Sequence, residues 1–126
     1  MLLESVAKTT SEDFPKSIRI RNTRDYRRVQ SRGKKLRTRN LLVIYSASSL
    51  VDSRFGVTVS KKVGNAVTRN LVKRWLRESI RRNQARHSAT RSLDVVFIAS
   101  PRAAKSDFTT ISQEVDKTLN KLLGVR

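Results

Sequence analysis

Residues 54–82 read RFGVTVSKKVGNAVTRNLVKRWLRESIRR, and the fold turns on how that stretch divides. Its first seven residues alternate Phe55, Val57 and Val59 with Gly56, Thr58 and Ser60. That is the pattern of a half-buried strand, read here as antiparallel to the strand before it. Gly64 permits an unusual backbone angle, and Asn65 is a good N-cap. From Ala66 the period becomes helical. On a wheel at about 100° per residue, Arg69, Lys73, Arg77 and Arg81 stand at successive steps of four, flanked by Asn70 and Arg74, in an arc of roughly 140°. Val67, Leu71, Val72, Trp75 and Leu76 fall mainly opposite, so Trp75 is expected to anchor the core. Ile80 and Arg82 break the pattern and mark an expected fraying or exit from the core.

A ridge of like charge is costly by itself. Neighbours at i, i+4 repel by a few tenths of a kcal/mol per pair, and Glu78 is the one acid between residues 66 and 82. The wider charge is segregated in the same way. The 126-residue chain carries 28 Lys and Arg against 10 Asp and Glu, a net +18. Residues 19–91 hold 21 of those bases and three acids, while the rest of the chain nets to zero. Merely solubilising charge would not separate so. A polyanion is the natural partner, because each neutralised phosphate releases condensed counterions. Arg in excess of Lys suits bidentate phosphate contacts and stacking on bases.

Working outward, Thr23 is read as the cap of a helix over 24–31, with Tyr26 and Val29 on one side and Gly33 at its end. LRTRNLLVIYS (36–46) reads as one strand with Arg37 and Arg39 on the same face. SASSLVDS (46–53) is a loop by composition. DVVFIAS (94–100) is a continuous apolar run, as expected for a strand covered by other elements, and Pro101 stops it. Its direction is left open. Ser106 or Asp107 caps a last helix with Phe108, Ile111, Val115, Leu119 and Leu122 on one face and Gly124 after it. The order is α-β-β-α-β-α, an α+β chain folded as an α/β sandwich. Residues 1–18 read as a poorly ordered leader and 19–126 as a single nucleic-acid-binding domain.

Several classes drop out. Without cysteine there are no disulfides or thiolate metal sites. No apolar run approaches a membrane span, and the acids near the start are unlike an export signal. The lone histidine, His87, sits in polar ARHSAT and reads as a surface residue. No carboxylate pair on the basic helix is spaced to hold two metals, and no nucleophile motif or phosphate loop appears.

The strings Ser60-Lys61-Lys62-x-Gly64-Asn65-Ala66 and Arg69-Asn70-x-x-Lys73-Arg74-x-x-Arg77-Glu78 together resemble the signature of the bacterial ribonuclease P protein subunit. The arrangement corresponds from about Arg21 through Leu123. The chain departs at Leu71, where that family commonly has a second Arg, and at Gln30, where relatives often carry an aromatic. The first thins the ridge and the second reduces the stacking offered by the first helix.

The resemblance implies a left-handed crossover between parallel strands around the basic helix. It implies an accessory subunit of an endoribonuclease, paired one to one with a large catalytic RNA in the cytoplasm. That complex removes the 5′ leader of precursor tRNA, with Mg2+ held mainly by the RNA, so no catalytic residue and no metal ligand is expected in this chain. Lys61, Lys62, Asn65, Arg69, Asn70, Lys73, Arg74, Arg77 and Arg81 are expected to face RNA. A cleft between the sheet and the first helix, with Tyr26, Arg37 and Arg39, is expected to guide the leader. The plainer readings are helix–sheet packing for Tyr26 and exposed strand for the two arginines. Rival functions are a ribosomal or RNA-chaperone protein, a protein-only metal nuclease, and a DNA-binding regulator.

Overall fold

The segment DVVFIA has no polar face to offer water beyond Asp94, so the chain folds around it. In the computed structural model, which describes residues 18–20, 23–48, 53–83 and 92–123, this segment is an inner strand of a four-stranded sheet. The elements in order are α1 (Thr23–Arg32), β1 (Lys34–Arg37), β2 (Leu41–Ala47), β3 (Arg54–Thr58), α2 (Ala66–Arg82), β4 (Leu93–Ala99), a 3-10 turn (Pro101–Lys105) and α3 (Phe108–Leu122). The strands lie in the order β1-β2-β4-β3, with β4 antiparallel to β2 and parallel to β3.

Strand alternation sorts the side chains into two layers. Leu41, Val43, Phe55, Leu93, Val95, Phe97 and Ala99 face α2 and α3, where Val72, Leu76, Ile80, Ile111, Val115 and Leu119 complete the main core. Ile44 and Val96 point the other way and are covered by Val29 of α1 and by Ile20. The α+β sandwich expected from the sequence is therefore the observed fold, with α1 on one face of the sheet and two helices on the other.

Four details differ from the sequence reading. The stretch 36–46 is not one strand but a hairpin, which adds a strand to the order. Thr38 donates its N–H to Leu41 O (2.9 Å), and its Oγ1 accepts from Leu41 N (3.2 Å), which turns the chain back. Glu114 of α3 fixes that turn, accepting from Thr38 Oγ1 (2.6 Å), Asn40 N (3.0 Å) and Asn40 Nδ2 (2.5 Å). Secondly, β3 does not pair with β2. The more apolar β4 inserts between them, because an inner position covers both of its faces and both of its edges. The parallel pair β3 and β4, joined through α2, follows from that insertion. Thirdly, Ile80 is fully buried rather than at a frayed end. Lastly, Val67 and Leu71 lie outside the core, at 78% and 40% exposure. The expected leader (but for Ile18), His87 and the Gly124 cap lie outside the described residues.

Candidate nucleic-acid interface

Helix α2 begins where the sequence places it. Asn65 Oδ1 accepts from Thr68 N at 2.9 Å, satisfying one of the first-turn donors. Gly64 before it has φ of 157°, and a Cβ there would meet the Thr68 methyl at 3.0 Å. Val72, Leu76 and Ile80 seat the helix on the core, each burial worth about 1.5–3 kcal/mol. Trp75 packs partly buried against the same core, and its carbonyl accepts from Ser79 Oγ at 2.7 Å. It is a core anchor, as the wheel predicts.

That seating turns Asn70, Arg74 and Arg77 to the exposed side, with Arg69 and Lys73 half-buried along the edge of the stripe. None of the four cations among them pairs with a carboxylate among the described residues. Arg69 Nε is buried without an acceptor there. Arg81 differs. Its guanidinium donates to both oxygens of Glu78 (2.9 and 2.6 Å), and Arg82 adds a third bond at 2.9 Å. The bond from Arg81, with the charges of both arginines, holds the Glu78 carboxyl below the ordinary carboxylate range. The uncompensated ridge is therefore one turn shorter than the sequence suggests. Lys61 and Lys62 extend it at its start, exposed in the turn before Gly64.

A second feature lies on the α1 face. The register places Arg37, Leu42, Ile98 and Thr58 in one row across the sheet. In the next row Ile44 and Val96 are sealed under Val29, but Leu42 and Ile98 stay partly open. Tyr26 closes the β3 end of this row. Thr58 Oγ1 donates to its phenol oxygen at 3.3 Å, and the ring lies so close over Gly56 that a Cβ there would be 2.5 Å from the hydroxyl. Burial pushes the Tyr26 phenol above its ordinary value, against the opposing effects of the Thr58 bond and the Arg77 charge. Tyr26 and Arg37 share a row with an apolar floor. Arg39 does not join them; it sits in the β1–β2 turn held by α3.

Asp94 fixes the position of α1. It is fully buried and accepts from Arg54 Nε (3.1 Å), Arg54 Nη2 (3.0 Å) and Arg28 Nη2 (3.0 Å). Arg54 also reaches Asp25 of α1 at 3.0 Å, and these acids raise its pKa. Sequence reading missed this network and the floor residues Leu42 and Ile98. An acid opening an apolar run, DVVFIA, was the available signal. Among the described residues no three or more His, Cys, Asp or Glu stand together as a metal-binding group. No described helix is long and apolar enough to cross a membrane.

A sandwich with a run of uncompensated cations along one helix, beside a half-open apolar cleft, has the features of an RNA-binding α+β protein. Residues 14–123 match the family model for Ribonuclease P. The ribonuclease P protein component of Caldanaerobacter subterraneus is 37% identical over 106 residues, spanning 84% of this chain and 90% of that one. That of Thermotoga maritima is 30% identical over 118 residues, spanning 90% and 99%. The solved ribonuclease P protein of Staphylococcus aureus superposes with a TM-score of 0.70 at 30% identity, covering 84% of this chain and 97% of that one. The solved Thermotoga maritima protein gives 0.72 at 30% identity, covering 82% and 96%. The chain belongs to the ribonuclease P protein family, and its work is tRNA processing within a ribonucleoprotein.

Proposed function

We propose that α2 and the loop before it dock on the catalytic RNA of ribonuclease P, one protein to one RNA, in the cytoplasm. The row Tyr26, Leu42, Ile98 and Arg37 takes the single-stranded 5′ leader of precursor tRNA. The observation that supports this most is the pairing of an uncompensated cationic ridge with a separate cleft that has an apolar floor. A ridge alone would suit any polyanion. A floor of Leu42 and Ile98 beside a tyrosine suits the faces of unpaired bases.

In this reading the phosphodiester is hydrolysed by magnesium held mainly by the RNA. The protein's residues bind and orient. Cations on α2 reduce repulsion between two RNAs, and the cleft makes contacts that leader-bearing substrate has and mature tRNA lacks. That difference speeds turnover and limits product inhibition.

Tyr26→Ala tests the cleft. Stacking of one base is worth about 1–3 kcal/mol, so the preference for leader-bearing over mature tRNA is expected to fall by roughly tenfold. Affinity for the catalytic RNA should stay near that of the unaltered protein, and Tyr26→Phe should keep the preference. Equal preference in Tyr26→Ala and the unaltered protein, measured by competition binding to the holoenzyme, would show that Tyr26 only packs α1 on the sheet.

A further inference from the structure

Arg39 has its own surroundings. The β1–β2 turn, the 3-10 turn after β4 and the start of α3 enclose an open groove of about 550 Å³ lined by Arg39, Asn40, Arg102, Lys105, Asp107 and Thr110 among others. Its three cations are exposed and make no ion pair among the described residues. The polar groups behind them are already engaged. Asp107, the groove's one carboxylate, accepts from Thr110 N at 2.8 Å as the cap of α3. Asn40 gives its amide to Glu114, and its carbonyl accepts from Ser100 N and Oγ, both at 2.9 Å. The frame is thus rigid, with hydrogen bonds tying the turn to α3 and to the start of the 3-10 turn. The three exposed cations outnumber the groove's single carboxylate and remain to meet an anionic ligand.

The groove also lies at the same end of the sheet as the start of the basic ridge. Leu41 pairs with Ala99, and Thr58 pairs with Ile98, so the turn before β2, the segment after β4 and the loop after β3 are neighbours. Two strand spacings, about 10 Å, separate β2 from β3. Lys61 and Lys62 follow β3 closely, on the other side of the end of β4.

We infer that Arg39, Arg102 and Lys105 form a second subsite for an RNA phosphodiester backbone, continuing the basic track of Lys61 and Lys62 across the end of the sheet. The inference rests on the proposed RNA docking. The strand it holds belongs either to a distal stretch of the leader or to the catalytic RNA, which offer the same chemistry.

Arg39→Ala/Arg102→Ala/Lys105→Ala tests it in the reconstituted holoenzyme. Binding is measured against salt for the catalytic RNA and for precursors with leaders of increasing length. Loss of three phosphate contacts is expected to make the log–log salt slope shallower by about 2 on a single-stranded leader or nearly 3 on helical RNA, with roughly tenfold or greater weakening. A change confined to long-leader substrate assigns the subsite to the leader; a change in assembly assigns it to the catalytic RNA. Arg39→Lys/Arg102→Lys, which keeps the charge, should retain the original slope. If the triple variant leaves both slopes unchanged while Arg69→Ala/Arg74→Ala shifts assembly, the groove is not an RNA site and the docking of α2 stands. If neither variant shifts a slope, both readings fail. Lysine variants that lose the slope as fully as alanine ones would also overturn a charge-based subsite.

Discussion

Asp94→Ala is expected to destabilise the fold by about 3–5 kcal/mol, the range for breaking a buried ion pair from one side. Asp94 is 0% exposed and Arg54 13%, so deleting the carboxylate leaves a mostly buried guanidinium with Asp25 alone. For a domain of this size each kcal/mol moves the melting midpoint by several degrees, so a thermal melt followed by circular dichroism should fall by well over 10 °C. Arg28→Ala should cost about 1 kcal/mol or less, because Arg28 is 38% exposed and its bond is shared with solvent. Equal effects of the two substitutions would mean that the buried Arg54–Asp94 pair contributes nothing beyond the Arg28 bond. The functional consequence should follow the geometry. Loosening α1 displaces Tyr26, so leader preference should suffer more than affinity for the catalytic RNA.

Arg69→Ala/Arg74→Ala carries the largest expected effect on binding. Neither arginine has a carboxylate partner among the described residues; Arg74 is exposed, and Arg69 is half-buried with its Nε left without an acceptor there. A charged hydrogen bond is worth about 1.5–3 kcal/mol, and the pair should therefore weaken assembly with the catalytic RNA by roughly a hundredfold or more. The log–log salt slope should become shallower by about 2. Arg81→Ala provides the contrast. Glu78 already neutralises Arg81, so its loss should change the slope by clearly less than the loss of either unpaired arginine. A filter-binding series across salt concentrations reads all three. A larger slope change for Arg81→Ala than for Arg74→Ala would contradict the assignment of the ridge.

How much of this was legible in the sequence depends on where each residue's partners lie. Helix α2 and its Asn65 cap were readable because every determinant is local: the cap bond spans three residues, and the ridge and the buried stripe repeat within single turns. The hairpin at Thr38–Asn40 was not, because the side chain that fixes the turn, Glu114, lies 74 residues beyond Asn40. Arg37, Thr38 and Arg39 alternate in the way a strand does, and nothing local marks the reversal. The partner of β3 is hidden for a related reason. Adjacency in sequence favours β2, and the stronger burial demand of β4 decides otherwise. Ile80 is out of phase only with a stripe that includes Val67 and Leu71, both exposed; the true stripe is Val72, Leu76, Ser79 and Ile80. Of the candidate site, the cations and Tyr26 could be named in advance. Leu42 and Ile98 could not, since an apolar residue in a strand reads as core until α1 is seen to stop one row short.

The central claim is that the cationic side of α2 exists to join a catalytic RNA. Precursor tRNA cleavage by a bacterial ribonuclease P RNA, timed with and without the protein at magnesium low enough to leave the RNA alone slow, tests it most directly. The unaltered protein is predicted to restore cleavage and Arg69→Ala/Arg74→Ala to restore little of it. No gain from the unaltered protein, or an equal gain from the double variant, would contradict the claim.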